Sequence, residues 1–306
     1  MTNQVRRNLC PICSASELTD RGLIVHPQPS EIAGIEVDMS GTEYHLKACL
    51  RCGFEFKDPP IDEQLLMKCY AQSSFDHWQD QPDPLVRQFD RFARLIESAT
   101  KSRRILDVGC FNGALLDYLG PEWNRYGIEP SIAAAEIARQ RGINVLSPSL
   151  ESLDKNTEPF DVIMAIDVLE HIVEPVSFFQ LIQKHLKENG IFLVSTGNAH
   201  AFSWKMQESL YYYTRIPEHV SFYSKAAFDQ ITCQMGWKCA AYQFIPHKRL
   251  PTSRRIKDTI KNTVYTLGCK CRGLGISPLN RKLRSGRGPT YFSAKDHLIY
   301  VFQQAG

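Results

Sequence analysis

Arg104-Ile-Leu-Asp107-Val-Gly109-Cys-Phe-Asn-Gly113, with Trp123-Asn-Arg-Tyr-Gly-Ile-Glu129-Pro close behind, packs two strands and a glycine turn into one short stretch. Ile105 to Val108 read as a buried strand, Gly109 to Gly113 as the turn, Ala114 to Leu119 as the opening of a helix. Tyr126 to Glu129 read as a second strand that ends in a carboxylate. In a doubly wound sheet a ligand sits beyond the carboxyl ends of the strands, so the turn after the first strand and the acid after the second face one crevice. Gly109 and Gly113 let the backbone turn sharply and approach a ligand closely. Glu129, 22 positions beyond Asp107, is placed to accept hydrogen bonds from both hydroxyls of a ribose.

A dinucleotide site would read Gly-x-Gly-x-x-Gly; here Phe111 stands near the middle of the turn and the order is Asp-x-Gly-x-x-x-Gly. This resembles motif I of the class I S-adenosylmethionine-dependent methyltransferases. Pro159 to Ile172 is similar to that family's fourth strand and following turn, and Leu186 to Ser195 to its fifth strand. The resemblance implies an α/β, doubly wound, Rossmann-like sheet of seven strands with S-adenosylmethionine as cofactor. It implies Asp107, Gly109, Gly113 and Glu129 as cofactor-binding residues, with Ser149 after a third strand and Asp167 after the fourth. The closing strands are expected at Trp237 to Ile245 and Asp296 to Gln303.

At 306 residues the chain can bury a full core and carry one large and one small domain. A net charge of +3 does not mark a nucleic-acid binder. The N-terminus has no apolar signal region and no apolar run is long enough to span a bilayer, so a cytoplasmic enzyme is the expectation. Ten cysteines without a secretion signal read as reduced thiols, with any organised subset pointing to metal. That subset is Cys10-Pro-Ile-Cys13 and Cys49-Leu-Arg-Cys52, two Cys-x-x-Cys knuckles able to present four thiolates to one tetrahedral zinc ion. Four thiolates leave no open coordination position, so the zinc is expected to be structural. Tyr44 to Ala48 and Phe54 to Lys57 have strand-like alternation around the second knuckle. The expected domains are a zinc ribbon over 1–60, a helical linker over 61–100 and a methyltransferase domain over 101–306.

Methyl transfer from a sulfonium needs a nucleophile in line with the methyl and, for a carbon or hydroxyl acceptor, a base; histidine suits because its ordinary pKa lies near neutrality. His171 lies just beyond the fourth strand, and His219 lies in Ile216-Pro-Glu218-His219-Val-Ser-Phe-Tyr, in the aromatic-rich segment after the fifth. A zinc ribbon, this core and a Glu-His pair after strand five resemble the sugar C-methyltransferases. That resemblance implies a sugar or glycan acceptor, His219 as base and Glu218 beside it; the tyrosine that precedes the pair in that family is Ile216 here, and Tyr70 falls near a further family tyrosine. Asp167-x-x-Glu170-His171 supports another reading, since it resembles the cluster of quinone-pathway O-methyltransferases in which a divalent cation orients a catechol. A non-catalytic cofactor-binding module is a third. RNA base methylation is disfavoured, because strand four ends in Ile-Asp-Val-Leu rather than an Asn/Asp-Pro-Pro-aromatic clamp.

Between the last two strands, about 247–294, lies an insertion where a short hairpin would suffice. Of the 36 Lys and Arg, twelve fall in 246–290 against one of the 33 acids, so this segment is +11 and the rest of the chain −8. Arg254 to Leu267 has helical spacing through Ile256, Ile260, Val264 and Leu267, beside Arg255, Lys257 and Lys261. An anionic membrane surface, a phosphorylated substrate and plain solvation are all compatible with it.

Overall fold

The computed structural model describes residues 7–73, 88–100, 103–248, 250–270 and 293–305. Residues 74–87 of the expected helical linker, and 249 and 271–292 of the insertion, lie outside these residues. Five N-terminal strands come first: β1 (Leu18–Ile24), β2 (Ser30–Ile32), β3 (Ile35–Val37), β4 (Tyr44–Cys49) and β5 (Glu55–Asp58). Helices α1 (Glu63–Gln72) and α2 (Phe89–Ala99) lead into the core. Asp62 caps α1 by accepting from the Gln64 N–H at 2.9 Å, as its place before the first turn requires.

The core alternates strand and helix: β6 (Arg104–Val108), α3 (Ala114–Leu119), β7 (Asn124–Ile128), α4 (Ile132–Gln140), β8 (Asn144–Ser147) and β9 (Phe160–Ile166). A short 3-10 turn at Leu169–His171, α5 (Pro175–His185), the long strand β10 (Leu186–Gly197) and α6 (Phe202–Gln207) follow. The chain then runs through β11 (Ser221–Phe222), α7 (Lys225–Met235), β12 (Lys238–Ile245), α8 (Thr252–Lys270) and β13 (His297–Gln303). Ser131 and Ser224 cap α4 and α7 through their hydroxyls, and Gly236 ends α7 in the left-handed region.

Seven strands form one sheet in the order β12-β13-β10-β9-β6-β7-β8. β6, β7, β8, β9 and β10 run parallel, and β13 inserts antiparallel between β10 and β12. Helices cover both faces, so the central strands are apolar on both sides. Ile105, Val162, Met164 and Leu193 pack on one face with Phe92 and Leu116, whereas Leu106, Ile163, Phe192 and Phe302 pack on the other with Phe179 and Phe228. The period-two alternation of side chains divides the core into these two halves. The doubly wound seven-stranded sheet expected from the glycine turn is the one observed.

β1, β4 and β5 form a second sheet whose fourth strand is β11, so residues just past the Glu218-His219 pair complete the N-terminal unit. Its core mixes Ile32, Tyr44 and Leu46 with Trp204, Tyr213 and Phe222 from the segment after β10. The long spacing between the two cysteine knuckles requires the segment between them to fold back, and the hairpin β2-β3 lies there.

Candidate active site

The glycine turn is held by contacts that a side chain would break. Gly109 and Gly113 have φ of 76° and 74°, and a Cβ on Gly109 would lie 2.6 Å from Val168 Cγ2. Behind the turn, Glu129 accepts from the Phe111 N–H through Oε2 and from the Ser131 N–H through Oε1, both at 2.8 Å. Each oxygen keeps a further lone pair. Burial pushes the Glu129 carboxyl up to about 7, against the pull of those two N–H groups. Asp107 is buried, and burial followed by the charge of Glu129 holds its carboxyl well above the usual range. Its Oδ1 has no hydrogen-bond partner. An orphaned buried acceptor, a cradle that a Cβ would fill and a second carboxylate with spare lone pairs fit a ligand with ammonium and ribose hydroxyl donors, as S-adenosylmethionine has.

Ser149 and Asp167 are placed differently from these two acids. The Ser149 hydroxyl lies 3.2 Å from that of Ser152 in a local turn after β8. Asp167, at φ 52°, has its Oδ1 2.8 Å from His297 Nε2, and His247 completes a compact group with them.

Val168, which bars a side chain at Gly109, opens the turn that carries the next functional group. Glu170 is fully buried and accepts from Thr196 Oγ1 at 2.8 Å and from the Tyr213 hydroxyl. Burial, then the charge of Asp167, raises its carboxyl to about 7. The Val220 N–H donates to the Glu170 carbonyl at 2.7 Å, which ties the turn to the Glu218-His219 segment. The His171 and His219 rings therefore meet edge to face, with centroids 4.9 Å apart. His219 is buried, with Nδ1 3.2 Å from the Tyr213 carbonyl. A carbonyl only accepts, so the Nδ1 proton is assigned there and the lone pair of the neutral ring falls on Nε2. Burial, then His171, holds the His219 pKa well below its ordinary value, so the ring is a neutral base at pH 7. His171 lies 2.8 Å through Nδ1 from the Tyr70 hydroxyl, and burial lowers its pKa to about 4.

Glu218 is buried with Oε2 unpartnered, and burial raises its carboxyl. Behind it stands Lys57 of β5, which the sequence reading passed over. Its ammonium, 1% exposed, donates to the Ile216 and Pro217 carbonyls at 3.1 and 2.9 Å and lies 3.0 Å from His26 Nε2. Burial pushes it down to about 7. Tyr213 was missed as well, and nothing local to its Tyr-Tyr-Tyr run singles it out. For Lys57 too the sequence carries no local signal, because the burial of its strand and its contact with Pro217 join distant parts of the chain.

The knuckles converge as their spacing predicts. Sγ of Cys10 lies 3.6 Å from that of Cys52, and Cys13 lies 3.6 Å from Cys49, with all four sulfurs within 4.8 Å of one another. A tetrahedral zinc with thiolate bonds of about 2.3 Å sets sulfurs about 3.8 Å apart, so the set fits that ion with little movement. Glu170, His171 and His219 form a second group of ligand atoms within 4.8 Å.

The family model described as Methyltransferase domain matches residues 75–242. The chain belongs to the methyltransferase domain family. Ubiquinone biosynthesis O-methyltransferase of Bradyrhizobium diazoefficiens is 33% identical to this methyltransferase over 132 residues, 40% of this chain and 49% of that protein. The protein of the same name from Histophilus somni is 32% identical over 116 residues, 34% of this chain and 49% of its own. The chain thus spans about half the length of the curated relatives it matches. Among solved structures, magnesium protoporphyrin IX methyltransferase from Synechocystis PCC 6803 superposes with a TM-score of 0.53 at 13% identity, over 80% of this chain and 100% of that one. N-methyltransferase NodS from Bradyrhizobium japonicum, in complex with S-adenosyl-L-homocysteine, gives 0.50 at 14% identity, over 80% and 99%. These likenesses show the class I methyltransferase fold. No helix of the described residues is long and apolar enough to cross a membrane.

Proposed function

We propose that this methyltransferase transfers the methyl group of S-adenosylmethionine to a carbon or oxygen of a sugar or glycan intermediate, with His219 as general base. The observation that carries the reading is the buried His219 ring, fixed by the Tyr213 carbonyl and linked through the 167–171 turn to the glycine cradle. Asp107 and Glu129 hold the cofactor, which supplies an electrophilic methyl on a sulfonium. His219 Nε2 takes the proton that the acceptor loses, and the site then returns it to solvent. The unpartnered Glu218 Oε2 suits a hydroxyl donor, since a buried acceptor left unpaired is destabilising by about 1–3 kcal/mol. His171, held by Tyr70, and the polar rings around it favour a polyhydroxylated acceptor over a flat apolar one. Cys10, Cys13, Cys49 and Cys52 would hold a structural zinc. The enzyme is proposed to be cytoplasmic.

A second reading, metal-assisted O-methylation of a quinone-type small molecule, draws on the Glu170-His171-His219 group and on the names of the relatives. Against it, both Glu170 oxygens are engaged by hydroxyl donors, and the relatives match 40% of this chain or less. His219→Ala should lower turnover by about 10² to 10⁴ with little change in cofactor affinity, and His171→Ala should do less damage. Activity that requires added Mg²⁺, with His171 essential and His219 dispensable, would replace the first reading by the second.

A further inference from the structure

α8 is built inside out. In a helix packed on a globular core the apolar stripe faces inward and the polar residues face water. Here Asp258, Asn262 and Thr266 are the buried residues, at 8%, 0% and 4% exposure. Asn262 Oδ1 accepts from Gln207 Nε2 of α6 at 2.9 Å, so the polar side is what anchors the helix to the protein. Ile256, Ile260, Val264 and Leu267 are left 56%, 61%, 54% and 57% exposed. At about 100° per residue these four fall within an arc of about 80°. Lys257, Lys261 and Arg254 lie along one flank of that arc, all exposed. Burying the stripe against the other described residues would require turning the helix over and losing the anchor at Asn262.

We infer that α8 is a membrane-docking helix, which lays this stripe into the interface of an anionic lipid bilayer while Lys257, Lys261 and Arg254 meet the headgroups. The apolar side chains select a lipid surface over a free phosphate, because a soluble anion gives Ile256, Ile260, Val264 and Leu267 nothing to bury against. The cations select an anionic surface, and among the described residues Lys248, Arg254, Arg255, Lys257 and Lys261, against the single acid Asp258, put that attraction on and beside α8. The same cations disfavour a second copy of the chain, since two such faces would bring like charges together. Residues 246–251 connect β12 to α8, and His247 among them belongs to the Asp167-His247-His297 group, so docking would hold the site near the lipid surface. The inference does not depend on which acceptor is methylated.

Flotation of the full-length protein with phosphatidylcholine vesicles, with and without phosphatidylglycerol, tests it. The wild type should float with the mixed vesicles and bind pure phosphatidylcholine about tenfold or more weakly. Ile260→Asp/Val264→Asp and Lys257→Glu/Lys261→Glu should each weaken binding to the mixed vesicles by about tenfold or more, with unchanged melting temperatures because these positions face water. Wild type that stays with the soluble fraction, or variants that float equally well, would overturn the inference. So would self-association of the wild type that Ile260→Asp/Val264→Asp abolishes, or a large loss of melting temperature in that variant, which would show the stripe covered by the chain itself.

Discussion

Glu129 must act as an anion in surroundings that favour its neutral form. Burial raises its carboxyl to about 7, so in the free protein it is about half protonated at neutrality. The cofactor's hydroxyls donate most strongly to the ionised form. The affinity advantage of wild type over Glu129→Gln should therefore be constant above about pH 8 and shrink below it, by up to about tenfold per pH unit once the pH is under about 7. Referring each value to Glu129→Gln leaves Asp107 common to both proteins, apart from the share of its raised pKa that the Glu129 charge supplies. Calorimetric titration with S-adenosylmethionine across that range checks this, and an advantage that does not change with pH would take Glu129 out of the site. His219 behaves in the opposite sense: its lowered pKa keeps the base form present as pH falls, so turnover at saturating cofactor should not decline until well below pH 6.5. Asp107 and Glu129 could be singled out in the sequence because each lies at a strand end, and His219 because its Glu-His pair resembles that of the sugar C-methyltransferases. Lys57 and Tyr213 were not, since Lys57 meets the Pro217 carbonyl across 160 positions and no local pattern reports such a contact.

At the scale of elements, the N-terminal sheet reads as a support for the acceptor loop. β5 pairs with β11 at Phe56 and Ser221, and Lys57 grips the two carbonyls that precede Glu218. We expect about one zinc per chain, bound by Cys10, Cys13, Cys49 and Cys52. Cys49→Ser/Cys52→Ser should lose the metal and most acceptor turnover while binding S-adenosylmethionine nearly as well as wild type, because Asp107 and Glu129 belong to the other sheet. Metal analysis beside cofactor titration decides it: zinc retained in that variant would end the assignment, and turnover retained without zinc would end the support role. Strands β6, β7, β9 and β10 could be read from sequence because their apolar runs are buried on both faces. β11 could not. Two residues carry no periodicity, and its pairing depends on the whole N-terminal sheet arriving beside it.

On the proposed reading the molecule joins a cofactor half, formed by β6 to β8 and their turns, to an acceptor half formed by the 167–171 turn, the segment after β10 and the N-terminal sheet. Similarity to the ubiquinone biosynthesis enzymes covers no more than 40% of the chain in these matches. α8 at the far edge had its helical spacing in the sequence, but its orientation was set by the contact between Asn262 and Gln207, which joins distant parts of the chain. The acceptor is where one measurement weighs most. Wild-type protein and His219→Ala would be incubated with methyl-labelled S-adenosylmethionine, nucleotide sugars and catechol-type acceptors, with Mg²⁺ added or withheld, and the products read by mass spectrometry. Label on a sugar, independent of Mg²⁺ and lost in His219→Ala, is the expected result; label confined to a catechol and dependent on Mg²⁺, or equal labelling by the variant, would contradict it.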